Sequence, residues 1–242
     1  MVRKYTILHG IFEEKYIIDI LKKKIVKTRD GSNTIFVPEF EETYHSTHGA
    51  IKESLHVFIR SGLNFKTELN DINILEVGFG TGLNALLSLI DSEETNRNIK
   101  YTSLEAYPLK WDLVSQLNYI DLICNGKYSA TYKEMHTCHW ESFYIISPHF
   151  SLRKQNIKLQ NVLFESEFDV IYFDAFAPRV QSELWTERIF SSMYMALKPG
   201  GVLVTYCAKG SVKRTLRSVG FDLQSIPGPA GRREMSRAIK PI

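Results

Sequence analysis

Hydrophobic and polar positions change their period between residues 72 and 90, and this change predicts three successive elements. Residues 72–77 form an apolar run typical of a buried strand, and the leucines and isoleucine of residues 83–90 recur at helical spacing. Three glycines, Gly78, Gly80 and Gly82, lie in the turn between them. A strand, a glycine-rich turn and a helix in this order predict an α/β fold.

The same pattern continues along the chain and predicts a doubly wound, mostly parallel sheet that ends in an antiparallel hairpin. Strands and helices alternate after residue 71, and the clearest strand, in the motif EFDVIYFDAFAP, ends before Asp174. The other predictions are a helix starting at Pro108, two strands within residues 121–164, a helix over 184–197 closed by Lys198-Pro199-Gly200-Gly201, a strand over 202–208 that contains Cys207, a helix over 211–219, and strands over 221–226 and 234–239.

Residues 1–70 are expected to form a small strand and helix extension packed on one main domain, residues 71–242. A hairpin with Asp30-Gly31 in its turn is predicted over residues 24–38, and a helix that ends near Gly62 should follow it. The first 23 residues look amphipathic, but their position is not defined by the pattern. A chain of 242 residues can bury one sizeable core.

The glycine turn indicates a nucleoside cofactor, because glycines let the backbone approach a ligand closely. An acidic residue, Glu105, closes the next strand, where it can accept hydrogen bonds from ribose hydroxyls. Enzymes that use NAD also place an acidic residue at the end of this strand. Here, however, Glu76 lies two residues before Gly78, which fits the S-adenosylmethionine pattern E/D-x-G-x-G-x-G better than the pattern G-x-G-x-x-G. The alternative is a glycine turn that only reverses the chain.

Composition narrows the functional classes further. No run of about 18 apolar residues and no signal sequence occur, which predicts a cytoplasmic protein without a membrane partner. The three cysteines are widely spaced and indicate neither a disulfide framework nor a zinc site. His45 and His48 have metal-compatible spacing, but no neighbouring ligands complete a site, so no metal is predicted.

The net charge of +3 conceals an asymmetry along the sequence. From Lys198 onward there are nine Lys and Arg residues and only two acidic ones. Arg232 and Arg233 follow a PGPAG loop, where no helix face accounts for them. The asymmetry points to an anionic partner such as a nucleic acid, although solvated basic helix faces explain the charge about as well.

Several motifs together resemble a known family. The motifs EVGFGTGLNAL, SLEAYPL, YFDAFAP, SELWTERIF, LKPGGVLVTYCAKG, VKRTLRSVGF and PGPAGRREMSRA are similar to the methyltransferase that makes 5-methylaminomethyl-2-thiouridine from its 5-aminomethyl precursor at the tRNA wobble position. The resemblance covers about residues 25–240. It implies a class I S-adenosylmethionine-dependent fold, tRNA as substrate, a stand-alone monomer, and a separate enzyme that supplies the aminomethyl group.

Candidate site residues follow from the motifs and the resemblance. A free alkylamine has a pKa near about 10, so a carboxylate at the end of a central strand, Asp174, is expected to hold and deprotonate it; a turn-capping role is the alternative. The expected cofactor-binding residues are Glu76, Gly78, Phe79, Gly80, Thr81, Gly82, Asn84, Glu105, Ala106 and Asn156. The expected substrate-binding residues are Tyr44, His45, Phe176, Pro178, Lys213, Arg217, Arg232 and Arg233.

Two other functions stay open from sequence. One is a Rossmann-like methyl- or aminopropyltransferase that acts on a small-molecule amine, although a polyamine calls for an acidic groove and the C-terminus is basic. The other is a non-catalytic nucleic-acid-binding protein with a relic cofactor fold, against which the complete glycine motif and Asp174 argue.

Overall fold

The structure is a computed structural model that describes residues 23–242. Its strands are β1 (Lys24–Lys27), β2 (Asn33–Val37), β3 (Glu42–Thr43), β4 (Asp71–Val77), β5 (Asn98–Leu104), β6 (Tyr144–Ser147), β7 (Phe150–Gln155), β8 (Phe168–Phe173), β9 (Leu197–Thr205), β10 (Asp222–Pro227) and β11 (Glu234–Ile239). Its α-helices are α1 (Ala50–Ser54), α2 (Leu83–Thr95), α3 (Trp111–Val114), α4 (Tyr119–Cys124), α5 (Ser129–Thr137), α6 (Glu187–Ala196) and α7 (Gly210–Val219). A π-helix, Leu55–Arg60, continues α1, and short 3-10 turns span Leu63–Phe65, Leu159–Asn161 and Ser182–Leu184.

An eight-stranded sheet with the order β10-β11-β9-β8-β4-β5-β7-β6 forms the centre of the molecule. The five strands from β9 to β7 in this order pair in parallel, and β11 pairs antiparallel with both β9 and β10. The predicted fold class, a mostly parallel sheet with a C-terminal antiparallel hairpin, is therefore confirmed. No helix within residues 23–242 is long and apolar enough to cross a membrane.

The central strand β8 is buried on both faces of the sheet along its whole length, which explains why it is almost continuously apolar. Successive side chains of β4 point to opposite faces: Ile74 packs in one hydrophobic cluster with Phe58 and Leu86, and Leu75 packs in the other with Phe190. One apolar layer thus packs the sheet against α2 and the π-helix, and the other packs its opposite face against α6 and α7.

The predicted N-terminal hairpin is present. Strands β1 and β2 pair antiparallel with Lys27 opposite Asn33, and β3 adds a third strand to this small sheet. The division of the chain at residue 70 stays a prediction. The amphipathic segment predicted at the N-terminus lies almost entirely outside the described residues.

Three local predictions were wrong. The helix expected from Pro108 begins at Trp111, because the Tyr107 N–H donates to the Glu105 carboxylate and holds the preceding residues in a turn. Residues 198–201 do not close a helix but belong to β9, where Gly200 and Gly201 exchange backbone hydrogen bonds with Lys240. Cys207 is buried but lies beyond the end of β9.

Candidate active site

A cavity of about 690 Å³ opens at the carboxyl ends of β4, β5 and β8, where open α/β sheets place their ligands. Its volume lies within the usual range for small-molecule sites. The N-terminal segment around Tyr44 closes one side of the cavity, and the loop after β8 closes another.

The glycine turn between β4 and α2 forms the floor of this cavity. Gly78 and Gly80 have φ values of +92° and +48°, a conformation that favours glycine. A Cβ atom on Gly78 would lie 3.0 Å from the carbonyl oxygen of Asp174, and one on Gly80 would lie 3.1 Å from the Tyr44 ring. Gly82 caps α2 in the left-handed region and does not line the cavity, whereas the other expected residues of this turn do: Gly78, Phe79, Gly80, Thr81 and Asn84.

Glu105 and Ala106 line the wall beside the glycine turn. The Glu105 carboxylate accepts hydrogen bonds from the Gly80 N–H at 3.0 Å and from the Tyr107 N–H at 2.8 Å. Burial raises its pKa, and the backbone hydrogen bonds oppose that shift. Each carboxylate oxygen retains a further lone pair, so Glu105 can still accept from two hydroxyl groups of a ribose.

Two expected cofactor-binding residues lie elsewhere. Glu76 is fully buried beneath the cavity, where its carboxyl accepts a hydrogen bond from Ser103 at 2.7 Å and burial raises its pKa to about 8. Asn156 is exposed, and its amide donates to the Glu105 carbonyl oxygen at 2.9 Å instead of reaching the cavity. The following residues, 157–160, line the cavity in its place.

Asp174 directly follows β8 and lines the cavity beside the glycine turn. Its Oδ2 atom accepts a hydrogen bond from the Asn84 side-chain amide at 2.8 Å. Burial and the nearby negative charge of Glu53 raise the pKa of Asp174 to about 7, while Asn84 and Arg232 act in the opposite direction. A carboxyl group that titrates near neutral pH is suited to exchange a proton with a ligand.

Two residues from distant parts of the chain, the buried Glu53 and the partly exposed Arg232, lie near Asp174 and act on its pKa in opposite directions. Glu53 of α1 is 7% exposed and accepts hydrogen bonds from the Ser46 N–H at 2.6 Å and from Arg232 Nε at 3.4 Å. The Arg232 guanidinium lies 4.5 Å from the centroid of the Tyr206 ring. Sequence reasoning did not include Tyr206; its position directly after the end of β9 is the signal that would have identified it.

Aromatic rings border the cavity near Asp174. The Tyr44 and Phe176 rings meet edge to face with centroids 5.1 Å apart. His45 is almost completely buried, and burial lowers its pKa to about 4, so it is neutral at pH 7. Pro178 lines a second, smaller cavity and not this one.

The expected basic residues do not form one surface. Lys213 is ion-paired with Glu234 at 2.6 Å, and Arg232 reaches into the cavity toward Glu53. Arg217 and Arg233 are exposed. Of the expected substrate residues, the main cavity is lined by Tyr44, His45, Phe176 and Arg232. The others lie outside it: Pro178, Lys213, Arg217 and Arg233.

The charge of the main cavity is acidic. Carboxylates outnumber the basic side chains that line it, so it suits a cationic ligand. The acidic residues are Glu39, Glu42, Glu53, Glu105, Asp174 and Glu183, and the basic ones are Lys23, Lys158 and Arg232. Among residues 23–242 no group of three metal-binding side chains is present.

Known proteins with a similar sequence or fold point to one chemistry. Residues 128–241 match the model of a family described as S-adenosyl-L-methionine-dependent methyltransferase. The tRNA 5-methylaminomethyl-2-thiouridine biosynthesis bifunctional protein MnmC of Actinobacillus pleuropneumoniae is 29% identical over 232 residues, which cover 88% of this chain and 34% of that protein. The protein of the same name from Magnetococcus marinus is 29% identical over 226 residues, covering 86% of this chain and 33% of that one.

A solved structure shares the fold. The crystal structure of MNMC2 from Aquifex aeolicus superposes with a TM-score of 0.71 at 22% identity, and the match covers all of this chain and 85% of that one. The chain spans about a third of the length of the curated relatives it matches.

Proposed function

We propose that the chain is an S-adenosyl-L-methionine-dependent methyltransferase and that it methylates the 5-aminomethyl group of the wobble 2-thiouridine of tRNA to give 5-methylaminomethyl-2-thiouridine. The observation that carries the proposal is the position of Asp174. Its carboxyl group titrates near neutral pH in an acidic cavity, beside a glycine turn shaped for a nucleoside.

The residues present fit the cofactor. The close contacts that a Cβ atom would make at Gly78 and Gly80 keep the turn free of side chains, and Glu105 retains acceptor capacity for ribose hydroxyls. The excess of carboxylates favours the positive charge of a sulfonium. When bound, S-adenosylmethionine would supply an electrophilic methyl group, and its thioether would leave as the methyl–sulfur bond breaks. The residues of this chain would have to hold the amine of the substrate and keep it neutral.

Asp174 performs the proton transfer in this proposal. An aminomethyl group is mostly protonated at pH 7, and an ammonium has no lone pair with which to attack. The Asp174 carboxylate binds the ammonium, takes one proton from its nitrogen, and leaves the nitrogen lone pair free to form the bond to the methyl carbon. The Tyr44 and Phe176 rings restrict the position of the amine, and such positioning contributes a large part of the acceleration.

Partner proteins follow from the chemistry of the substrate. Since the substrate already carries the aminomethyl group, a separate activity has to generate it before this chain acts. All the groups assigned here come from one chain, so the reaction is proposed for a monomer. Acting on tRNA, the protein is proposed to work in the cytoplasm.

Methyl transfer to tRNA tests the proposal directly. Purified chain is incubated with S-adenosylmethionine carrying a labelled methyl group and with bulk tRNA from cells that lack the modification. The tRNA is then digested, and its nucleosides are separated and identified by mass spectrometry. We expect label in 5-methylaminomethyl-2-thiouridine, and none in tRNA that is already fully modified. Label transferred to a polyamine or another free amine, with none in tRNA, would favour the small-molecule amine transferase instead.

A further inference from the structure

A second cavity of about 330 Å³ adjoins the main one. The two cavities share three lining residues, Ala177, Tyr206 and Arg232, so they are neighbouring parts of one surface. The remaining wall of the second cavity comes from Pro178 and Arg179 of the loop after β8 and from the segment that joins β9 to α7, together with Glu234.

The two cavities have opposite charge. Arg179, Lys209 and Arg232 line the second cavity, and its one carboxylate, Glu234, is already paired with Lys213 at 2.6 Å. Lys209 is exposed and makes no ion pair within the part of the chain that the structure describes. Arg179 and Arg232 pair with Glu42 and Glu53 of the main cavity, so Lys209 is the basic side chain of the second cavity that has no acidic partner among residues 23–242. A basic cavity beside an acidic one favours a ligand with a cationic end and an anionic end.

We propose that the second cavity binds the backbone phosphate adjacent to the nucleotide whose amine enters the main cavity. This inference rests on the proposed function and identifies how the target nucleotide is held. A phosphodiester carries one negative charge and accepts hydrogen bonds from guanidinium and ammonium groups, which Arg179 and Lys209 supply. Arg179 is paired with Glu42 but is 60% exposed, and an exposed ion pair of this kind is weak enough to be exchanged for a phosphate.

Neutralising single phosphates tests this assignment. Anticodon stem-loop RNAs carrying 5-aminomethyl-2-thiouridine are made with one methylphosphonate, which is uncharged, on either the 5′ or the 3′ side of the target nucleotide. Their affinities for the parent protein and for Lys209→Ala are compared in a double-mutant cycle. We expect one of the two methylphosphonates to weaken binding to the parent about tenfold, and Lys209→Ala to weaken the unmodified RNA by a similar factor.

The binding of the methylphosphonate RNA to Lys209→Ala shows whether Lys209 contacts that phosphate. If Lys209 contacts that phosphate, the methylphosphonate should weaken binding to Lys209→Ala little further, and Arg179→Ala should show the same coupling. Arg217→Ala is the matched control, because Arg217 is basic and lies on α7, the helix that begins directly after Lys209, but outside both cavities. The factors by which Arg217→Ala and the methylphosphonate weaken binding should multiply. Melting curves verify that the variants are folded.

Two results would overturn the assignment. In the first, the parent protein binds both methylphosphonate RNAs as tightly as the unmodified RNA. In the second, the methylphosphonate weakens binding to Lys209→Ala by the same factor as it weakens binding to the parent. Either result leaves the proposed function intact if the parent still methylates the RNA. A parent that methylates none of the RNAs would instead refute the proposed function together with this inference.

Discussion

Asn84 donates a hydrogen bond from its side-chain amide to Oδ2 of Asp174 at a distance of 2.8 Å. An amide does not titrate near neutral pH, so Asn84 fixes the carboxyl group without competing for its proton. Oδ1 of Asp174 receives no hydrogen bond from residues 23–242, and it is therefore the oxygen available to an amine.

Removing the Asn84 amide should move the acid limb of the pH–rate profile. The hydrogen bond from Asn84 favours the ionised form of Asp174, so its loss raises the pKa of Asp174 above about 7. For Asn84→Ala we expect kcat/KM at pH 6.5 to fall about threefold or more, with a smaller loss at pH 8.5, since one net hydrogen bond amounts to about 1 kcal/mol. Measuring kcat/KM of the parent and of Asn84→Ala between pH 6.5 and 8.5 checks this prediction. An equal loss at both pH values would show that Asn84 does not act on the pKa of Asp174.

Glu53→Gln should shift the same profile in the opposite direction. The negative charge of Glu53 raises the pKa of Asp174, so a neutral side chain of the same shape lowers it. The acid limb of kcat/KM should move to lower pH, and the activity at pH 6 relative to that at pH 8 should rise severalfold. Arg232 loses its partner in this variant, so tRNA affinity has to be measured beside the rate. A limb that stays in place would show that Glu53 does not act on Asp174.

The glycine turn and Asp174 can be predicted from sequence, because their positions at the ends of strands follow from short local patterns. Both lie in short strand-to-loop segments whose apolar runs are unambiguous, and parallel strands bring their carboxyl ends to one edge. The Glu53–Arg232 pair joins residues 179 positions apart, and no local pattern predicts such a contact. Asn156 is expected at the site from the resemblance alone, and the residues that line the cavity, 157–160, follow it directly.

Helix α5 shows a second limit of sequence reasoning. Within it only Tyr132 and Met135 are buried, so its apolar stripe is too narrow to be distinguished from an irregular segment. Its position depends on tertiary contacts: the Tyr132 hydroxyl donates to the carbonyl oxygen of Thr81 at 2.6 Å, beneath the glycine turn. A helix that is stabilised by its partner and not by its own pattern has to be seen in the fold.

Gly80→Val should abolish binding of S-adenosylmethionine while leaving the chain folded. A side chain at this position is strained at a φ of +48° and approaches the Tyr44 ring at the floor of the cavity. Calorimetric titration with the cofactor measures the loss, which should exceed tenfold. Gly31→Val is the matched control, because Gly31 also has a positive φ but has open space around its Cβ position and does not line the cavity. Unchanged affinity in Gly80→Val would refute the assignment of this turn to S-adenosylmethionine binding. Tighter binding of NAD would indicate a dehydrogenase instead.

Glu76→Gln should remove part of the loss of stability that accompanies a rise in pH from about 5 to about 8. The folded pKa of Glu76 is raised to about 8 by burial, so its contribution to stability is fully present below the ordinary value and is lost as the pH rises through about 8. The free energy of unfolding of the parent should fall between pH 5 and pH 8.5 by roughly 2–5 kcal/mol more than that of Glu76→Gln.

Urea denaturation at the two pH values provides the measurement for Glu76. Glu94→Gln, at an exposed position of α2, serves as the control and should behave as the parent does. An identical pH dependence in Glu76→Gln and the parent would show that Glu76 is not the group that titrates.

The single-turnover rate of methyl transfer by Asp174→Asn shows whether Asp174 takes the proton from the amine. With tRNA that carries 5-aminomethyl-2-thiouridine, we predict that cofactor and tRNA affinities stay close to those of the parent, that the melting curve is retained, and that the rate at pH 7 falls by about 10². Raising the pH toward 9 should recover part of that loss, because more of the amine is then neutral without help. A folded Asp174→Asn variant that transfers the methyl group at the parental rate would contradict the account.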